Sequence, residues 1–284
     1  MSTATPTAPR HFNGLRYRPP GAADAGHGAA RQAWTQGVAL ARADRDAEAL
    51  PLFERATRME PRNALYWLNR AGSERRLRRT AEAIASAQRA FALEPANRVA
   101  CQMLAELQRT TNRQADALAT LRALDPATPR DAQHHLLEGS CLMSQQDWQG
   151  AAIAFLEALQ QRPDDVGAYT QLGFALANLK RYGEAAECFR TIVVLQPDDL
   201  GAAVYAAHYA AWACDWGQVD ADHGRLDASL ALMAGQRQTP PFSPFCLLSM
   251  NDDAQLHLRA ARIEAARLAS RVREAAAWQA PERG

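Results

Sequence analysis

Small and large apolar residues recur along this chain at a fixed interval, with polar stretches between them. Prolines stand at Pro61, Pro95, Pro129, Pro163 and Pro197, each 34 residues after the one before. A small residue keeps the same step at Gly37, Ala71, Ala105, Gly139, Gly173 and Ala207, and a second series runs through Ala49, Ala83, Ala117, Ala151 and Ala185 to Val219. Large residues fill the spaces: Trp67 and Tyr169 early in a unit, Leu104 and Leu172 just before the small residue, and Phe53, Leu121, Phe155 and Phe189 late. This pattern predicts two antiparallel helices per unit. Helices joined by a short turn interlock only where both lack bulk, so glycine or alanine is needed on each at the crossing point. The proline then stops the second helix, because it removes a donor and disfavours helical geometry in the residue before it. One hairpin cannot cover its own apolar face, so consecutive hairpins must stack.

The 34-residue period, with the run from Tyr169 through Leu172, Gly173 and Leu176 followed by Tyr182, Ala185, Phe189 and Pro197, resembles the tetratricopeptide-repeat family. The resemblance implies an all-α fold: a right-handed superhelix of about six helix hairpins with a concave groove, ended by capping or linker helices. It divides the chain into a leader (1–29, disordered, with Thr5-Pro6-Thr7-Ala8-Pro9 and Pro19-Pro20-Gly21), five repeats (30–199), a degenerate sixth repeat and junction (200–234), and a turn with a C-terminal helix (235–284). Three departures carry their own expectations. Pro51 should bend or shorten the second helix of the first unit, and Asp125-Pro126 should end that of the third unit early. Cys101 and His135 replace the large early residue.

The 284 residues, 48% hydrophobic, suffice for one or two domains. A net charge of +1 removes the electrostatic case for a nucleic-acid partner. Five cysteines without a C-x-x-C pair point to a reducing compartment. No apolar run reaches membrane-span or signal-peptide length, so a cytoplasmic chain with no membrane partner is expected. Lys180 is the sole lysine; with so much alanine, this reflects base composition more than arginine chemistry. There is no nucleophile elbow, phosphate loop or zinc-protease motif. His134 and His135 adjoin Glu138 and Cys141, yet adjacent helical side chains diverge by ~100°, so no metal is expected. No cofactor and no catalytic residue is expected either. The expected function is a protein-interaction scaffold that is not an enzyme on its own, with a protein or peptide held in the groove. The groove-facing row is Thr35, Asn69, Met103, Leu137, Gln171 and Tyr205, in which the carboxamides of Asn69 and Gln171 can grip peptide amides. Arg70, Arg75, Arg76, Arg78 and Arg79 form a basic cluster, read first as a solvated helix end favoured by the helix dipole and second as a seat for an acidic or phosphorylated partner.

Beyond Ala207 the pattern changes. Leu226, Leu230 and Leu232 suit one more helix, broken by Gly235 and the turn at Thr239-Pro240-Pro241-Phe242. A last helix is expected from the caps at Asn251-Asp252-Asp253 to about Trp278. Leu258, Ala261, Ala265, Leu268, Val272 and Ala276 give it an apolar stripe with arginines outside, while Leu256 and Ile263 lie off the stripe. One reading is a capping helix pair with Trp212 and Trp216 in its core. Alternatively, Cys214-Asp215-Trp216, Pro240-Pro241-Phe242 and the helix from Gln255 to Ala261 are similar to the junction in bacterial O-GlcNAc-transferase-like proteins of the SPINDLY type, over residues 207–266. That resemblance implies the substrate-recognition part of a protein O-linked N-acetylglucosaminyltransferase, acting from UDP-GlcNAc onto Ser or Thr, with the catalytic lobes missing from this chain.

Overall fold

The computed structural model describes residues 25–218, 221–222, 224–226 and 253–277, and among them are α-helices and no strand. The helices run α1 (Ala25–Arg42), α2 (Asp46–Met59), α3 (Ala64–Arg76), α4 (Thr80–Leu93), α5 (Arg98–Thr110), α6 (Gln114–Arg122), α7 (Ala132–Ser144), α8 (Trp148–Gln161), α9 (Val166–Asn178), α10 (Tyr182–Leu195), α11 (Leu200–Trp212) and α12 (Ala254–Ala277). The first of them starts ahead of the expected boundary at residue 30. From α1 to α10 each odd helix pairs with the even helix after it, and each of these even helices packs on the next odd one, so the hairpins stack in series up to α11.

The crossing points show why the small residues recur. A Cβ added to Gly37 would lie 2.8 Å from Phe53, one on Gly139 2.6 Å from Phe155, and one on Gly173 2.6 Å from Phe189. Glycine therefore stands wherever the facing position of the second helix, 16 residues on, is phenylalanine. Where the partner is smaller, Ala87 or Leu121, the crossing residue is alanine, Ala71 or Ala105, and all four are buried. Each phenylalanine removed from water contributes roughly 1.5–3 kcal/mol, which outweighs the ~1 kcal/mol that glycine costs a helix.

Turns between the paired helices repeat as strictly. Asp44, Arg78, Asn112, Gln146, Lys180 and Cys214 all take a positive φ near 60°, and they too are 34 residues apart. In each, the left-handed residue's amide bonds three residues back and the following amide five back, as in Gln146 N to Met143 O (2.9 Å) and Asp147 N to Leu142 O (3.0 Å). This is the Schellman closure of a helix end. The residue after it opens the even helix. At four turns it is arginine, pairing with an acid three positions on: Arg45 with Glu48, Arg79 with Glu82, Arg113 with Asp116 and Arg181 with Glu184. In the fourth hairpin Asp147 replaces the arginine and Gly150 the acid, and the Asp147 carboxylate instead accepts the Gly150 amide at 2.9 Å. Odd helices open on a third recurring position, where Asn97, Asp131, Asp165 and Asp199 accept an amide of the first turn. Asn63 occupies that place before α3 and donates to Glu60 instead.

Pro51 does not shorten its helix. α2 keeps 14 residues, the same as α4, α8 and α10, because Pro51 lies exposed in its second turn and only one early carbonyl loses its partner. α6 has 9 residues and ends before Asp125-Pro126, with Asp125 N bonded to Pro95 O at 3.2 Å.

The last helix turns out the other way round from its pattern. Leu256 and Ile263, which lie off the expected stripe, join Ala260, Leu200, Ala203, Val204 and Leu226 in one buried cluster. Leu258, Ala261, Ala265, Leu268 and Val272 are exposed. The cap at Asp253 is as expected, its carboxylate accepting from Gln255 N and Leu256 N. Trp212 and Trp216 are not core: 54% and 67% of their surface is exposed, and the buried cluster at this end is aliphatic, with Leu200, Val204 and Leu226 in it. Arg190 ties this end to α10, binding the buried carboxylate of Asp222 at 2.7 Å together with Asp215 at 3.1 Å and Glu187 at 2.6 Å. Leu230, Leu232, Gly235 and the Thr239–Phe242 turn lie outside the described residues.

Candidate binding face

Odd helices touch one another across hairpins: α1 meets α3, α5 meets α7 and α7 meets α9, whereas even helices meet chiefly their chain neighbours. The stack therefore closes up on the odd side, and the odd helices line the inner face. Their exposed side chains are the ones a ligand lying in the curve would touch.

The expected row is uneven on this face. Thr35 is exposed and donates to Arg31 O at 2.8 Å. Asn69 is half-buried and donates one of its two amide hydrogens to Leu65 O at 2.8 Å, which leaves its carbonyl and its second amide hydrogen. Met103 and Leu137 are 8% and 4% exposed and sit in the apolar core, so the middle of the row packs rather than presents. Gln171 and Tyr205 are half-buried at the C-terminal end.

Around those two lies a feature the row alone does not show. Phe174 stands edge-on to Tyr205 (5.1 Å between ring centres) and to Phe189 (5.4 Å). Tyr205 stacks on Tyr209 at 6.2 Å, and Tyr209 on Tyr182 at 6.3 Å. Trp212 closes the series against Tyr182 (5.1 Å) and His208 (5.3 Å). A continuous aromatic lattice thus runs from buried Phe189 out to exposed Trp212. Its outer members were findable by spacing: Phe174 lies three residues after Gln171, and His208 and Trp212 lie three and seven after Tyr205. These intervals keep a side chain on one helix face.

The basic cluster is largely engaged within the chain. Arg70 lies over the Trp67 ring at 5.3 Å and pairs with fully buried Glu74 at 2.8 Å, whose second oxygen has no hydrogen-bond partner. Arg76 binds Asp46 at 2.5 Å across the α2–α3 contact, with Ser73 on the same carboxylate at 2.7 Å. Arg79 pairs with Glu82, and Arg78 holds the left-handed turn. Contacts within the chain thus engage the side chains of Arg70, Arg76 and Arg79, while Arg78 serves the turn through its backbone and Arg75 is exposed.

His134 and His135 diverge, their rings 5.8 Å apart at 77°. His135 Nδ1 lies 2.8 Å from a Glu157 oxygen. His134 is buried, and burial, helped by the positive charge of Arg130, pushes its pKa down to about 4. Burial also holds the thiols of Cys101 and Cys188 up at about 12 and that of Cys141 at about 11, so none of the three is a ready nucleophile. Among the described residues, no group of three His, Cys, Asp or Glu side chains converges as a metal site would need, and no helix is long and apolar enough to cross a membrane.

Three family models described as tetratricopeptide repeat match the chain, over residues 34–97, 75–141 and 166–199. The stretch that resembles the SPINDLY-type junction begins after the last of these. No curated protein matches. Among solved structures, MamA 41-end from Desulfovibrio magneticus RS-1 is 19% identical with a TM-score of 0.56, over 60% of this chain and 96% of that one. PilW, a widely conserved type IV pilus biogenesis factor, is 19% identical with a TM-score of 0.56, over 72% and 94%. YrrB, described as a TPR protein with an unusual peptide-binding site, is 17% identical with a TM-score of 0.54, over 74% and 97%. At these identities the likeness is one of fold.

Proposed function

From the premise that this chain carries tetratricopeptide repeats over residues 34–141 and 166–199, we propose that it is a protein-interaction scaffold that holds an extended peptide segment against its inner face. The observation that carries this reading is the aromatic lattice at the C-terminal end of that face. Exposing Trp212 there costs the isolated chain hydration free energy, which a ligand covering it would recover. Aromatic rings supply large contact area at little conformational cost, and Gln171 beside them has an amide that can both donate to and accept from a peptide backbone. That YrrB, a similar fold, is described as having a peptide-binding site agrees with this use of the fold.

The substrate-recognition reading, in which the groove would present Ser- or Thr-bearing proteins to an O-GlcNAc transferase, rests on the resemblance over residues 207–266 alone. Cys214 in that stretch also serves as the sixth left-handed turn residue, which gives the motif a structural reason of its own. Peptides selected from a random library on the full chain test the groove proposal. Trp212→Ala and Gln171→Ala should weaken the selected peptides by about tenfold or more, the range of a buried aromatic anchor. Equal binding by wild type and both variants would place the ligand elsewhere and end the proposal.

A further inference from the structure

α12 has two apolar faces, and the repeats use one of them. Leu256, Ala260 and Ile263 occupy the first and are buried against α11 and Leu226. Leu258, Ala261, Ala265, Leu268 and Val272 form the second. Their spacing of three, four, three and four residues is the seam of a helix that pairs lengthwise with another. Every one of them is exposed, Leu268 at 48% and Val272 at 67%. The two alanines in the seam allow a second helix axis to come close.

Charge decides what kind of helix fits. α12 carries five arginines against two glutamates. Arg267 is neutralised within the helix by Glu264, at 2.5 Å. Arg262 and Arg271 border the seam on opposite sides, both exposed, and neither enters an ion pair among the described residues. A second copy of this chain would set arginine-rich borders against arginine-rich borders, which opposes association. An acidic partner would meet them with opposite charge.

We infer that the exposed seam of α12, formed by Leu258, Ala261, Ala265, Leu268 and Val272 and bordered by Arg262 and Arg271, is a docking face for an acidic amphipathic helix of a partner protein, separate from the groove on the odd helices. The partner helix carries aliphatic residues on the heptad seam and Glu or Asp beside it. Its seam excludes water from Leu268 and Val272, and its carboxylates select for it over neutral or basic helices.

The test uses the full chain and two labelled synthetic helices of about four heptads, each with leucine on the seam and either glutamate or lysine beside it. Fluorescence anisotropy should show the glutamate probe binding and weakening as salt rises, and the lysine probe binding at least about tenfold more weakly. Arg262→Glu with Arg271→Glu should reverse that order. Val272→Glu should abolish binding of the glutamate probe while leaving thermal unfolding unchanged, since Val272 is exposed in the free chain. Equal affinity for the two probes, or none for the glutamate probe, overturns the inference. Sedimentation that shows a dimer dispersed by Val272→Glu overturns it too, by assigning the seam to a second copy.

Discussion

Glycine at positions 37, 139 and 173 is set by what faces it. In Gly173→Ala the new methyl would lie 2.6 Å from the Phe189 ring, so the ring or the helix must shift. Overpacking of this kind costs ~1–3 kcal/mol, partly offset by the ~1 kcal/mol that alanine contributes to a helix. Urea unfolding should show a net loss of up to about 2 kcal/mol, and Gly173→Ala combined with Phe189→Leu should be less harmful than the two changes added together. His134 gives a residue-scale prediction in pH. Its folded-state pKa of about 4 lies below the ordinary value of 6.5, so as pH falls the unfolded chain takes up the proton first. Stability is therefore full above pH 6.5 and declines towards pH 4, by up to about 3 kcal/mol at ~1.4 kcal/mol per unit. His134→Leu should flatten that part of the stability profile measured by chemical denaturation. The crossing glycines were legible in the sequence as a 34-residue series, but their reason was not, because it depends on Phe53, Phe155 and Phe189 16 residues further on. Burial of Met103 and Leu137 was likewise hidden: a helical face says which way a side chain points, not whether a neighbouring helix already covers it.

Elements are terminated by a local code that the chain repeats almost unchanged. A left-handed residue closes each odd helix, an arginine–acid pair or an aspartate opens most of the even ones, and Asn or Asp opens the next odd helix. These positions keep the 34-residue step and were available in the sequence, though hydrophobic pattern alone does not reveal them because every one is polar or exposed. Pro51 is the clearest lapse from the code. It costs α2 one hydrogen bond without ending it, so Pro51→Ala should stabilise the chain by about 1–3 kcal/mol, seen as a higher midpoint in thermal unfolding followed by circular dichroism. α12 marks the limit of periodicity as a guide. Its sequence holds two apolar faces, and the longer one was the natural choice for the core. The structure buries the shorter face, through Leu256, Ala260 and Ile263, against α11 and Leu226, and nothing within the helix itself distinguishes the two.

At the scale of the whole molecule, stacking makes each hairpin depend on its neighbours, and the C-terminal end is secured by charge as well as by apolar contact. Arg190 holds Asp222, which is 2% exposed; burial lowers the pKa of the Arg190 guanidinium, but its bonds to Asp222, Glu187 and Asp215 outweigh that and hold it above the ordinary value. Arg190→Met would leave the buried Asp222 carboxylate with only Arg225, at 3.0 Å, so the loss should approach but not exceed the ~3–5 kcal/mol of a buried charge left unpaired. Amide hydrogen exchange should then show α10 and α11 losing protection while α1–α4 keep theirs. The order of the five hairpins from α1 to α10 was readable from the sequence because each unit repeats one solution. The aromatic lattice was not, because it arises where three consecutive helices bring unrelated positions together. One consequence follows from α6, whose 9 residues leave the third hairpin about a turn and a half short of the others. A rod pulled from its two ends yields at its thinnest section, so single-molecule stretching should part this one at α6 before any other joint, into an N-terminal piece of two hairpins and a C-terminal piece that carries the aromatic lattice intact.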